Sequence, residues 1–119
     1  MSLSGTRVLL VEDEPIIAMT AEDMLEAIGC EVVATAATVG EAMAAAARGG
    51  FDVAMLDINL DGAVSLPVAE TLKAARTPFI FTTGYGVGGC GGHSDVPLVS
   101  KPYQIADLER ALASALAVR

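Results

Sequence analysis

The stretch Phe51-Asp52-Val53-Ala54-Met55-Leu56-Asp57 restricts the fold of this chain most. Val53 to Leu56 form an unbroken apolar run, the pattern of a strand covered on both faces. The run then stops on a carboxylate. An unpaired charge inside such a strand is too costly to desolvate. Asp57 is therefore expected where the strand leaves its sheet, at the C-terminal edge. Asn59, Asp61 and Gly62 follow as loop residues. In open parallel α/β sheets, ligands bind along that edge.

The other segments supply the sheet and its cover. Arg7-Val8-Leu9-Leu10-Val11 is a second apolar run, and it also ends on acid, at Glu12-Asp13-Glu14. Pro15 suits the first turn of a helix. Ile17, Ala21, Met24, Leu25 and Ile28 recur at helical spacing up to Gly29. Residues 31–37 read as a strand. Thr38 and Glu41 make a capping box for an alanine-rich helix over 39–48. Residues 65–76 form a helix that tolerates Pro67 in its first turn. Residues 79–83 and 96–100 read as strands, and Ile105, Leu108, Leu112 and Leu116 mark a final helix. Strands alternating with helices imply a doubly wound α/β domain with a parallel sheet. Neither repeats nor a linker divide the chain, so residues 1–119 are expected to be one domain.

One segment breaks the alternation. Residues 84–95 hold six of the chain's 12 glycines where a helix is due. Glycine costs ~1 kcal/mol per helical position relative to alanine, and no apolar stripe offsets it. A loop is expected instead. Gly86 to Gly91 match a GxGxxG pattern but open no helix, which argues against a dinucleotide site. His93 lies in this segment and reads as a solvated side chain.

Composition narrows the function. A net charge of −8 makes nucleic acid a poor partner. No apolar run approaches the ~18 residues of a membrane helix, and the N-terminus lacks the features of a signal peptide. Cys30 and Cys90 have neither zinc nor disulfide-framework spacing. A cytoplasmic location with reduced thiols is expected.

The ends of the strands carry the chemistry. Glu12 and Asp13, Asp57, Thr82 and Thr83, and Lys101 all fall at the same end of successive strands. Neighbouring strands lie ~4.8 Å apart, so these side chains share one edge. Clustered carboxylates repel one another and are stable as anions around a cation. All-oxygen ligands indicate a hard divalent ion, Mg²⁺ above all. Asp57 can then attack phosphorus to give an aspartyl phosphate. A hydroxyl such as Thr83 and the Lys101 ammonium suit the charged phosphoryl oxygens.

Val11-Glu12-Asp13-Glu14-Pro15, Leu56-Asp57-Ile58-Asn59-Leu60, Thr83-Gly84-Tyr85-Gly86 and Lys101-Pro102-Tyr103 together resemble the receiver domain of two-component response regulators. The resemblance covers nearly the whole chain. It implies a flavodoxin-like five-stranded sheet in the order 2-1-3-4-5. It implies Asp57 as phosphoacceptor and Asp13 and Asp57 as direct Mg²⁺ ligands. The Asn59 carbonyl is a further ligand, with Glu12 acting through water. Thr83 is the switch hydroxyl and Lys101 the phosphate contact, with a cis Lys101-Pro102 bond. The phosphoryl donor is a histidine kinase, and the output is an altered contact with a downstream protein.

Three departures refine this. Pro78 to Tyr85 is similar to the PFxFATGY stretch of atypical receivers, with Thr82 in place of alanine. That subgroup implies a fourth helix shortened or absent, and kinases of the HWE or related type. Leu98 stands where most receivers have a switch aromatic, which puts aromatic-rotamer signalling at that site in question. No output segment follows the last helix, so a stand-alone receiver is expected, a signalling domain and not an enzyme. Two rival readings are a receiver-like binding module that is never phosphorylated and a phosphohydrolase of the haloacid dehalogenase type. The latter needs a second aspartate where this chain has Asn59.

Overall fold

The computed structural model describes residues 3–84 and 96–117. In chain order the elements are β1 (Arg7–Val11), α1 (Pro15–Ile28), β2 (Glu31–Ala36), α2 (Val39–Arg48), β3 (Val53–Asp57), β4 (Asn59–Leu60), β5 (Ala63–Val64), α3 (Leu66–Ala74), β6 (Phe79–Thr83), β7 (Leu98–Ser100) and α4 (Ile105–Ala117). Five strands form a parallel sheet in the order β2-β1-β3-β6-β7. This is the expected 2-1-3-4-5 order, because β4 and β5 stand outside that sheet as a separate antiparallel pair.

The sheet divides the core in two. Val8, Leu10, Val53, Met55 and Ile80 pack with Leu25 of α1 and Leu108 and Leu112 of α4. Leu9, Val11, Ala54, Leu56 and Phe81 pack with Ala42 and Ala45 of α2 and Val68 and Leu72 of α3. Alternate residues of each strand serve opposite layers, so the central strands have no polar face. Every residue of β3 and of β6 is buried. The small side chains of Ala42 and Ala45 are what α2 buries against the sheet.

Helix ends follow their local chemistry. Gly29 closes α1 at φ 102°. Its N–H donates to the Glu26 carbonyl, and the Cys30 N–H donates to the Leu25 carbonyl. This is the Schellman arrangement, for which glycine is the favoured residue. The same pair of bonds ends α3, from Arg76 to Lys73 and from Thr77 to Leu72, but there the left-handed residue is Arg76 at φ 58°. At α2 the Glu41 N–H donates to Thr38 Oγ1 at 3.1 Å. The return bond of the capping box goes to the Ala37 N–H at 2.8 Å, one residue before the cap.

Several boundaries differ from the sequence reading. The strand expected over 96–100 is the shorter Leu98–Ser100, at the edge of the sheet and paired among the described residues with β6 alone. The helix expected over 65–76 is Leu66–Ala74. The stretch after Asp57, expected to be loop, contains the β4–β5 hairpin. Most of the glycine-rich segment, with Tyr85, Cys90 and His93, lies outside the described residues, as does the question of the fourth helix.

Candidate functional site

The C-terminal ends of β1, β3 and β6 and the residue after β7 converge as expected. Register places Val11 beside Leu56 and Asp57 beside Thr82. Glu12 and Asp13 therefore emerge next to Asp57. One carboxylate oxygen each from Glu12, Asp13 and Asp57 lie within 4.8 Å of one another. Glu12 and Asp57 are buried at 6% and 4% exposure, whereas Asp13 is half-buried. Lys101 reaches the same point from beyond β7, where its N–H donates to the Thr83 carbonyl at 2.8 Å. Its Nζ donates to Glu12 Oε1 at 2.6 Å and to Asp57 Oδ2 at 2.8 Å. The Lys101-Pro102 peptide bond is cis.

Each carboxylate has further donors. The Glu14 N–H donates to Glu12 Oε2 at 3.1 Å, and the Asn59 N–H donates to Asp57 Oδ1 at 3.2 Å. Asp13 Oδ2 accepts from the Asp61 N–H at 2.8 Å. Beneath the site, the buried Ser65 Oγ donates to the Asp57 carbonyl at 2.6 Å. That bond fixes the backbone of β3 where it leaves the sheet.

Burial and charge compete here. Removal from water pushes the Glu12 carboxyl up to about 7, although Lys101 and the Glu14 N–H pull the other way. Burial alone would lower the Lys101 ammonium, but its bonds to Asp57 and Glu12 outweigh that and hold it above its ordinary value. Lys101 is thus a firm cation held between two carboxylates. Tyr103, two residues on, is buried, and its hydroxyl has no partner among the described residues. Burial, with Glu12 nearby, pushes that phenol up to about 12.

A cleft of about 290 Å³ opens over these groups, lined by Asp13, Glu14, Asp57, Asn59, Asp61, Gly62, Gly84 and Lys101. The structure therefore brings together Glu12, Asp13, Asp57, Asn59 and Lys101. Thr83 is 1% exposed and is not among the residues lining the cleft, whereas Gly84 is. Leu98 is half-buried beside Phe81. Sequence reasoning missed Ser65, Asp61 as a backbone donor, and Tyr103. The Asp61-Gly62 pair is a recognised signal for a two-residue hairpin. Nothing local marks Ser65, and Tyr103 enters the sequence reading only within Lys101-Pro102-Tyr103, with no role assigned.

This sheet order and this set of residues define a receiver. A family model described as response regulator receiver domain matches residues 8–113, and the chain belongs to that family. It is 37% identical over 119 residues to the phyllosphere-induced regulator PhyR of Methylorubrum extorquens, covering 94% of this chain and 44% of that protein. The chain thus spans less than half the length of that curated relative. The solution structure of SdrG from Sphingomonas melonis superposes with a TM-score of 0.84 at 44% identity, covering 99% of this chain and 100% of that one. The receiver domain of the sensor histidine kinase PA1611 from Pseudomonas aeruginosa gives 0.82 at 26% identity, covering 96% of this chain and 99% of that one. That domain holds a magnesium ion in its active-site cleft. Among the described residues of the present chain, no helix is long and apolar enough to cross a membrane.

Proposed function

We propose that this chain accepts a phosphoryl group from a histidine kinase onto Asp57, in an Mg²⁺-dependent reaction, and thereby changes its contacts with other proteins. The observation that carries this reading is the Asp57 carboxylate. It is 4% exposed at the end of a central strand, 2.8 Å from an ammonium and beside two further carboxylates. The donor set is all oxygen and carries an excess of negative charge, which fits a hard divalent cation. Asp13 and Asp57 would hold it directly, with the Asn59 backbone carbonyl, and Glu12 would act through water. When bound, Mg²⁺ offsets the charge of the carboxylates and of the incoming phosphoryl oxygens.

In the transfer, an Asp57 carboxylate oxygen bonds to phosphorus. The bond from phosphorus to the kinase's histidine nitrogen breaks, and the nitrogen keeps the electron pair. Lys101 Nζ, already on Asp57, follows the new phosphoryl charge. The Thr83 hydroxyl supplies the switching contact. The role is that of a signalling domain and not of a turnover enzyme. Asn59 cannot carry the proton that a second aspartate would in a phosphohydrolase, and its Oδ1 is engaged by the Gly62 N–H at 2.9 Å. The similarity to the PFxFATGY receivers favours a kinase of the HWE or related type.

Incubation with acetyl phosphate and Mg²⁺, followed by intact-mass measurement, tests the reading. The parent gains the mass of a single phosphoryl group. Asp57→Asn and addition of EDTA each abolish the gain. A gain that persists in Asp57→Asn overturns the assignment.

A further inference from the structure

The β4–β5 hairpin touches the cation site at two points, on Asp57 and Asp13, and a third bond braces the hairpin itself. The Asn59 N–H donates to Asp57 Oδ1 at 3.2 Å, Asn59 Oδ1 accepts from the Gly62 N–H at 2.9 Å, and the Asp61 N–H donates to Asp13 Oδ2 at 2.8 Å. Two antiparallel pairs, Asn59 with Val64 and Leu60 with Ala63, close the hairpin. Leu60 anchors it in the core at 2% exposure. The Ser65 N–H returns to the Ile58 carbonyl at 2.8 Å. The turn is possible because Asp61 and Gly62 both have positive φ, 51° and 86°, as a type I′ turn requires.

We propose that this hairpin is a positioning device for the cation. It presets the Asp13 carboxylate and the Asn59 backbone before any ion arrives, and Gly62 is the residue on which its shape depends. Asp13 is half-buried and would otherwise sample several rotamers. The Asp61 N–H selects one of them. A left-handed residue other than glycine costs strain. At Gly62 an added methyl meets no atom within 4 Å, so strain is the whole cost and the fold survives it.

The inference rests on the Mg²⁺ reading above, and the test separates the two. Mg²⁺ is titrated calorimetrically into the parent, Gly62→Ala, Gly62→Asn and Gly50→Ala. Gly50 is the control: it also has positive φ, 89°, and open space at its Cβ, but it lies just before β3, at the far end of the sheet. In Gly62→Ala the free hairpin relaxes out of the strained turn and must be drawn back on binding, so Mg²⁺ binding is expected to weaken about fivefold, the lower range for left-handed strain. Gly62→Asn, which tolerates positive φ, restores most of the affinity. Gly50→Ala lowers the melting temperature as much as Gly62→Ala does and leaves the affinity unchanged. Amide exchange gives a second readout: the Asp61 amide loses protection in Gly62→Ala and keeps it in Gly50→Ala. Parent-like affinity in Gly62→Ala, or equal losses in both alanine variants, overturns the positioning role. A parent that binds no Mg²⁺ overturns the cation reading, and the positioning role falls with it.

Discussion

The same two strands, β1 and β3, carry charge at both ends, and the two ends differ in kind. At the N-terminal end, Arg7 of β1 meets Asp52, the residue before β3. Its Nη2 lies 3.2 Å from Asp52 Oδ1, with side chains 50% and 31% exposed. The backbone N–H of Arg7 also donates to Asp52 Oδ2 at 2.8 Å. There the Arg7 cation sits in water against Asp52, and the exposed Glu31 beside it on β2 adds a smaller attraction. At the C-terminal end three carboxylates cluster, and among the described residues the Lys101 ammonium bonds two of them, Glu12 and Asp57, whose side chains are 3% and 6% exposed. Hydrated charge fastens one strand to the next. Unbalanced, buried charge leaves a demand for further cation. That contrast, and not the number of charges, distinguishes a structural end from a binding end.

Removing Lys101 breaks the contrast most severely. Lys101→Met keeps the bulk of the stem but leaves Glu12 and Asp57 buried beside each other without their cation. Breaking a buried pair from one side costs roughly 3–5 kcal/mol, and the 15% exposure of the Lys101 side chain places this variant near the lower figure. Urea denaturation in EDTA is expected to show a loss of about 3 kcal/mol. Saturating Mg²⁺ then stabilises Lys101→Met more than it stabilises the parent, because the ion takes over the missing charge. Equal Mg²⁺ stabilisation of both proteins would mean that lysine and metal do not serve the same carboxylates.

The next effect is a pH dependence confined to the buried end. The Glu12 carboxyl stands at about 7 in the folded chain, raised from 4.5 chiefly by burial. Between these values the folded state holds a proton that the unfolded state has released. The Glu12 contribution to stability is therefore complete below about pH 4.5 and is lost as pH rises through about 7. Glu12→Gln removes this component. In EDTA, the stability of the parent minus that of Glu12→Gln should fall across this window. With Mg²⁺ present the fall should shrink, because a bound cation favours the carboxylate. A flat difference without metal would show that Glu12 stays ionised beside Lys101 throughout.

Legibility in the sequence follows the same division. β1, β3 and β6 stand out as apolar runs because both of their faces are buried. Their last residues stand out because a charge there needs a reason. β7 was harder to bound, being short, at the edge and only partly buried. The β4–β5 hairpin is hard to read because two-residue strands carry no periodicity; only Asp61-Gly62 marks it. The pairing of Lys101 with Glu12 spans 89 positions and depends on the lysine side chain reaching from beyond β7 across the ends of β6 and β3 to the end of β1. The Ser65 bond to the Asp57 carbonyl and the Tyr103 hydroxyl, without a partner among the described residues, are products of packing. Arg76 at φ 58° is a position where local preference would choose glycine.

The smallest effect belongs to the exposed end, and it sharpens the comparison by its size. Arg7 and Asp52 are hydrated, and salt screens charges in such positions. The guanidinium is held above its ordinary value, first by its bond to Asp52 and then by charge, but this speaks of proximity and not of strength. Arg7→Met and Asp52→Asn, combined in a double-mutant cycle, isolate the pair from the Arg7 backbone bond, because asparagine can still accept that N–H. The coupling is expected to be the weakest of those discussed and to vanish in about 1 M salt, where the Debye length falls to about 3 Å. Coupling within the Lys101 and Glu12 pair, measured by the same cycle, should persist at that salt because water and ions cannot enter between them. If both couplings faded together, the two ends would be equally hydrated, and burial would not be what sets the carboxylate site apart.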